Sequence, residues 1–130
     1  MVIDTSAVMA MLAGTPGADR LVAAVGADRT RLVSAATVVE SSLLLLGRYG
    51  EAGDALLDRL LRSIGAEVVP VDEDQVTIAR DAAQRFGRGR HAAALNQGDC
   101  FSYALAVARG EPLLFVGDGF AQTDVEVSAW

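Results

Sequence analysis

Short apolar runs recur along this sequence, separated by longer stretches with helical spacing, and few architectures accommodate that rhythm. Val2-Ile3 and residues 31–34, 67–71 and 113–116 read as strands, with a weaker fifth at 125–127. Between them, helical patterns cover residues 6–13, 17–25, 35–48, 51–63, 72–86 and 99–109. Strands that alternate with helices predict an α/β domain, its parallel strands joined by helical crossovers. Leu113 to Val116 is uniformly apolar, as suits a central strand covered on both faces. Gly50 and Gly110 stand where two helices should stop. Asp72, with Gln75 three residues on, resembles a capping pattern. Residues 85–98 are expected to be a loop or a broken helix. No repeat, low-complexity tract or Pro/Gly-rich linker divides the 130 residues, so residues 1–130 are predicted to be a single domain. An apolar fraction of 52% supplies ample core and excludes disorder.

The charges exclude several kinds of chemistry. All 11 basic residues are arginine. Without lysine there is no Walker-type phosphate loop, no Schiff base and no aspartate–lysine phosphatase or receiver site. A net charge of −6 argues against a simple basic patch gripping nucleic acid. Positive charge for a phosphate ligand must then be local, and bound metal is one source. Cys100 is the single cysteine, so no internal disulfide forms. The opening segment has no basic leader and carries an early acid at Asp4. Leu43 to Leu46, the longest strongly apolar stretch, falls far short of the ~20 residues a membrane span needs. A soluble, cytoplasmic protein is expected.

Four acids stand at positions where chemistry is plausible, and each has an ordinary alternative. Asp4 ends the first strand, where α/β sheets bind ligands, yet aspartate also caps helices well. Ser6 can cap the same helix or face a phosphate. Glu40 shares a helical stripe with Ala36, Leu43 and Leu44, so it is expected on an apolar face, paired with arginine or bound to metal. Asp99 opens an apolar helix and could be its cap. Asp118 ends the fourth strand in an Asp-Gly pair that also suits a turn. If the four converge, each pair about 4 Å apart costs roughly 4 kcal/mol at an effective dielectric near 20. Such a cluster requires cations. All-oxygen ligands favour Mg²⁺ or Mn²⁺, and a lone histidine argues against zinc.

The opening Val-Ile-Asp-Thr-Ser-Ala, the helical Val-Val-Glu, the segment Gly-Asp-Cys-Phe-Ser-Tyr-Ala-Leu-Ala and the strand end Leu-Leu-Phe-Val-Gly-Asp-Gly-Phe together resemble a PIN domain. The stretch Gly-Arg-His-Ala-Ala-Ala-Leu-Asn-Gln-Gly-Asp-Cys is similar to a subgroup of VapC toxins. The resemblance covers essentially the whole chain, with the acids in the family's order. It implies a three-layer α/β/α sandwich around a short central parallel sheet. It also implies Mg²⁺- or Mn²⁺-dependent endoribonuclease activity, a cognate VapB-like antitoxin and homodimerisation. Asp4, Glu40 and Asp99 match the acidic centre, and Asp118 matches its fourth, more variable acid. Asp124 is an auxiliary acid or a residue that caps or turns the chain.

Arg85, Arg88, Arg90 and His91 form a loop that could position RNA phosphates or could be a solvated surface. Asn96 could cap or touch substrate. Cys100, Tyr103 and Trp130 read as packing residues. The helices after Ser6 and Glu51 carry more apolar surface than a small sheet needs, which suggests a partner. Competing functions are a structure-specific DNA nuclease, a small-molecule phosphatase and a catalytically silent protein-binding module.

Overall fold

The computed structural model describes residues 1–130. Its centre is a sheet of very short strands: β1 (Val2–Ile3), β2 (Leu32–Ser34), β3 (Glu67–Val69) and β4 (Leu113–Leu114). The strands are all parallel, in the order β3-β2-β1-β4. The crossovers are α1 (Thr5–Ala13), α2 (Ala18–Ala27), α3 (Ala35–Tyr49), α4 (Glu51–Ser63), α5 (Glu73–Phe86) and α6 (Gln97–Arg109). Side chains alternate across a sheet, so each strand feeds two cores. Val2, Leu32 and Leu113 pack with Ala82 and Phe86 of α5 and Leu105 of α6. Ile3, Val33 and Leu114 face the other way, onto Val8 of α1, Leu21 of α2 and Leu57 of α4. The result is the three-layer α/β/α sandwich.

Strand ends depart from expectation for local reasons. β3 stops at Val69 because Pro70 has no N–H to continue a ladder. β4 stops at Leu114, and the N–H of Val116 goes to the Ser6 hydroxyl instead of a strand. The expected fifth strand is reduced to one parallel bridge between Val127 and Leu113. A two-residue β4 leaves room for little more. α6 begins at Gln97, two residues before the expected start, because Asn96 caps it.

Most of the surplus apolar surface lies on α3; α4 exposes Leu56, and α1 exposes no large apolar residue. α1 buries Ala7, Val8 and Ala10, whereas α3 turns Val39 (60% exposed) and Leu43 (65% exposed) to solvent. The inward residues of α3 are Thr37, Ser41 and Leu45. Buried Thr37 Oγ1 and Ser102 Oγ lie 3.1 Å apart in a hydrogen bond, joining α3 to α6 through small hydroxyls. Gly53 sits so close to α3 that a Cβ there would lie 2.5 Å from the carbonyl oxygen of Leu45. No helix is long and apolar enough to cross a membrane.

These burials predict opposite outcomes for two leucines. Leu105→Ala, at a fully buried position, should cost about 2–5 kcal/mol in urea denaturation. Leu43→Ala should stay within about 0.5 kcal/mol of the parent.

Candidate active site at the carboxyl edge of the sheet

Asp4 leaves β1 and caps α1. It is 1% exposed. Its Oδ2 accepts the Ser6 N–H at 2.9 Å and the Ser6 hydroxyl at 2.6 Å. Ser6 Oγ in turn accepts the N–H of Val116 at 3.0 Å, so one hydroxyl ties the ends of β1 and β4 together. With its proton committed to Asp4, Ser6 is first a positioning residue, with lone-pair capacity left for a water. Asp4 Oδ1 has no partner at all. Ser41 Oγ and Gln75 Oε1 share that condition, but only Asp4 carries charge. Burying an anion without a counter-ion is costly, so this oxygen is suited to a cation.

Asp99 occupies the third position of α6, in reciprocal caps with Asn96. Asp99 Oδ2 accepts the Asn96 N–H at 2.8 Å, and Asn96 Oδ1 accepts the Asp99 N–H at 2.9 Å. Capping was expected as an alternative to chemistry at both residues; the structure shows that it leaves Asp99 Oδ1 and the Asn96 amide NH₂ uncommitted. Burial pushes the Asp99 carboxyl above its ordinary 3.8, and the negative charges of Asp4 and Glu40 push it the same way. The Asn96 N–H and the Arg88 guanidinium oppose them. Asp4, Glu40 and Asp99 are therefore within electrostatic reach of one another.

Glu40 is half-buried, and the apolar stripe around it faces solvent, contrary to the expected core face. Its Oε2 accepts the Thr5 hydroxyl at 2.6 Å. A Cβ at Gly98 would come within 2.1 Å of the same oxygen, so glycine there lets α6 close on the carboxylate. Thr5 and Gly98 were not singled out from sequence; their signal was adjacency to Asp4 and Asp99.

Asp118 is exposed, and its side chain makes no hydrogen bond. The chain turns at Gly117, at φ +107°, and carries Asp118 outside the group that acts on Asp99. No three carboxylates already stand as a ready-made metal cage. The fit to a divalent cation rests on the orphaned Asp4 oxygen and the two acids whose field it shares. Asp124 lies in a bend of the chain and caps no helix. It accepts hydrogen bonds from Tyr103 and Arg85, which hold its carboxyl below the usual range. Burial and that carboxylate push the Tyr103 hydroxyl up to about 12. The network pins the C-terminal segment to α5 and α6. Arg85 is thereby occupied, while Arg88 and Arg90 are exposed. His91 Nδ1 accepts the Ala93 N–H, with its ring edge-to-face on Phe86 at 5.3 Å. Cys100 is buried, and burial raises its thiol pKa, as befits an inert packing residue.

An α/β/α sandwich with acids at the carboxyl ends of parallel strands defines the class, and the PIN-domain model matches residues 1–126. The chain belongs to the PIN-domain family and, within it, to the VapC ribonucleases. It is 49% identical to Ribonuclease VapC30 of Mycobacterium tuberculosis over 129 residues, 99% of this chain and 98% of that one. Ribonuclease VapC of Mycolicibacterium smegmatis is also 49% identical, over 96% of this chain and 97% of its own. The fold superposes on the crystal structure of Mycobacterium tuberculosis VapC20, a sarcin-ricin loop cleaving toxin. That match has a TM-score of 0.77, 20% identity and 95% coverage of both chains. A toxin–antitoxin complex from Klebsiella pneumoniae matches with a TM-score of 0.72 and 15% identity, over 99% of this chain and 97% of that one.

The raised Asp99 pKa has a sign that can be measured. Between 3.8 and its higher folded value, the native state holds a proton that the unfolded state has lost. Metal-free stability therefore falls as pH rises through that window and stays lowered above it. Asp99→Asn keeps an oxygen for the Asn96 N–H, should lack this fall, and should exceed the parent at neutral pH. Urea melts across the acidic range check it; parallel curves for the two proteins would contradict it.

Proposed function

We propose that this chain is a divalent-metal-dependent endoribonuclease acting as the toxin of a toxin–antitoxin pair. The supporting observation is Asp4 Oδ1, a buried anionic oxygen without a partner, beside two further carboxylates. Asp4, Asp99 and Glu40 would hold Mg²⁺ or Mn²⁺, with Asp118, exposed on the turn after β4, as a fourth contributor. When bound, such an ion lowers the pKa of a water and neutralises charge on a scissile phosphate. The protein's share is to orient the acids. Ser6 fixes Asp4 by two hydrogen bonds, Thr5 fixes Glu40, and the Asn96 cap fixes Asp99. One uncommitted carboxylate oxygen could take the proton from the attacking water.

Local positive charge also reconciles a chain of net charge −6 with a polyanionic substrate. Asn96 caps the helix of Asp99 and Arg88 acts electrostatically on that acid; with Arg90 and His91 of the same loop they would meet RNA phosphates or bases. Family membership and relatives named ribonucleases support RNA as substrate. Fold neighbours in toxin–antitoxin complexes support a cognate VapB-like antitoxin. The exposed stripe of α3 runs up to Glu40, so a protein covering Val39 and Leu43 would also close the crevice. Homodimerisation and action in the cytoplasm complete the proposal.

Two variants test it. With Mn²⁺ the parent should cleave a total RNA pool, EDTA should stop it, and Asp4→Asn should lower the rate by roughly a hundredfold or more, as loss of several kcal/mol implies. Cleavage that survives both treatments would refute metal dependence. Gly98→Ala should push the flexible Glu40 carboxylate aside while leaving stability within about 1 kcal/mol, since alanine favours helix. Activity should fall about 10- to 100-fold.

A further inference from the structure

A second concavity lies beside the acidic edge, between α5 and α6. It has a volume of about 440 Å³, within the range of small-ligand sites. Its walls are apolar, from Val76, Ala79 and Ala83 on one side to Leu95 and Phe101 on the other. Its rim carries Arg80 and Arg88, and neither guanidinium takes part in an ion pair or a hydrogen bond within the chain. Five other arginines, Arg29, Arg48, Arg59, Arg90 and Arg109, are equally unengaged, so what distinguishes Arg80 and Arg88 is their place on the rim of this concavity. Asn96 and Gln97 also line it, with the Asn96 NH₂ and the whole Gln97 amide unspent.

We propose that this pocket takes one unpaired base of the RNA substrate, with Arg80 and Arg88 on the phosphates either side of it. The inference rests on the ribonuclease function and adds to it a place where sequence is read. An apolar slot with a half-buried aromatic ring suits a base face. Free amides suit a base edge, and two unpaired cations suit a backbone that is negative at every residue. A base stacked in a duplex cannot enter such a slot, so the target is single-stranded or a loop. Coupling to the acids is short. Arg88 acts electrostatically on Asp99, and Asn96 both lines the pocket and caps the helix that carries Asp99. The base bound here therefore belongs to a nucleotide near the scissile phosphate.

The test uses the full chain, a single-stranded RNA pool and two variants outside the acidic group. Ala83 is exposed on α5, so Ala83→Phe fills the slot at little cost to folding; Arg80→Gln removes one rim charge. Anisotropy in EDTA should show binding of a labelled pool oligonucleotide weakened about tenfold in each variant. Mapping of cut ends in Mn²⁺ should show the parent's preference at one position flattened in Ala83→Phe, with KM raised and kcat little changed. Parent-like affinity and an unaltered cut pattern in both variants would overturn the pocket while leaving the ribonuclease function standing. Loss of co-purification with the cognate antitoxin, with RNA binding intact, would overturn it in favour of a protein segment. A parent that neither binds nor cuts RNA would overturn both proposals at once.

Discussion

Asp4 is a negative charge placed where a folded protein can least tolerate one. It is sealed from water, holds one hydroxyl and one amide on a single oxygen, and leaves the other oxygen bare. Asp99 and Glu40 add like charge rather than relieving it. An uncompensated buried carboxylate costs several kcal/mol, a sizeable part of the ~5–15 kcal/mol that holds a domain of this size together. The remainder of the fold bears that cost. Two cores, one on each face of the sheet, hold the strands that present the acids.

Beside that apolar packing, a set of short polar ties links the elements that carry the acids. Ser6 links the ends of β1 and β4, Thr5 reaches Glu40, and Thr37 meets Ser102 between the two helices that bear Glu40 and Asp99. Each tie uses a side chain small enough to let backbones approach. Gly98 extends the same logic, since any side chain there would occupy the space of the Glu40 carboxylate. One turn along α6 from Asp99, Tyr103 joins Arg85 in holding Asp124 and with it the C-terminal segment. That acid is neutralised by its partners, which separates it from Asp4 despite the shared residue type.

Much of this was legible in the residues. Val2-Ile3 and the run from Leu113 announce buried parallel strands, and the helical periods between them require crossovers. The order of Asp4, Glu40 and Asp99 along the chain pointed to the candidate site. Glu40 was placed near it through a misread stripe, because apolar spacing on a helix looks the same whether it faces a core or solvent. Thr37 and Ser41 are the true inner face of α3, and hydroxyls become core residues only through a partner such as Ser102 that sequence spacing does not reveal. The surroundings of Asp118 and Asp124 were hidden for a similar reason. Their fates depend on the turn at Gly117 and on Tyr103, both tertiary facts. The Asn96–Asp99 cap, with its spacing of three, was within reach of sequence, yet it does not decide between capping and chemistry, since it leaves Asp99 Oδ1 uncommitted.

The central claim is that the bare oxygen of Asp4 exists to bind a divalent ion. A crystal of the parent protein grown with Mn²⁺ and recorded for anomalous scattering tests it most directly. A strong peak bonded to Asp4 Oδ1 and shared with an Asp99 oxygen is the predicted result. A clean map at that position, with Asp4 Oδ1 instead taking a hydrogen bond from a protein donor, would contradict the account.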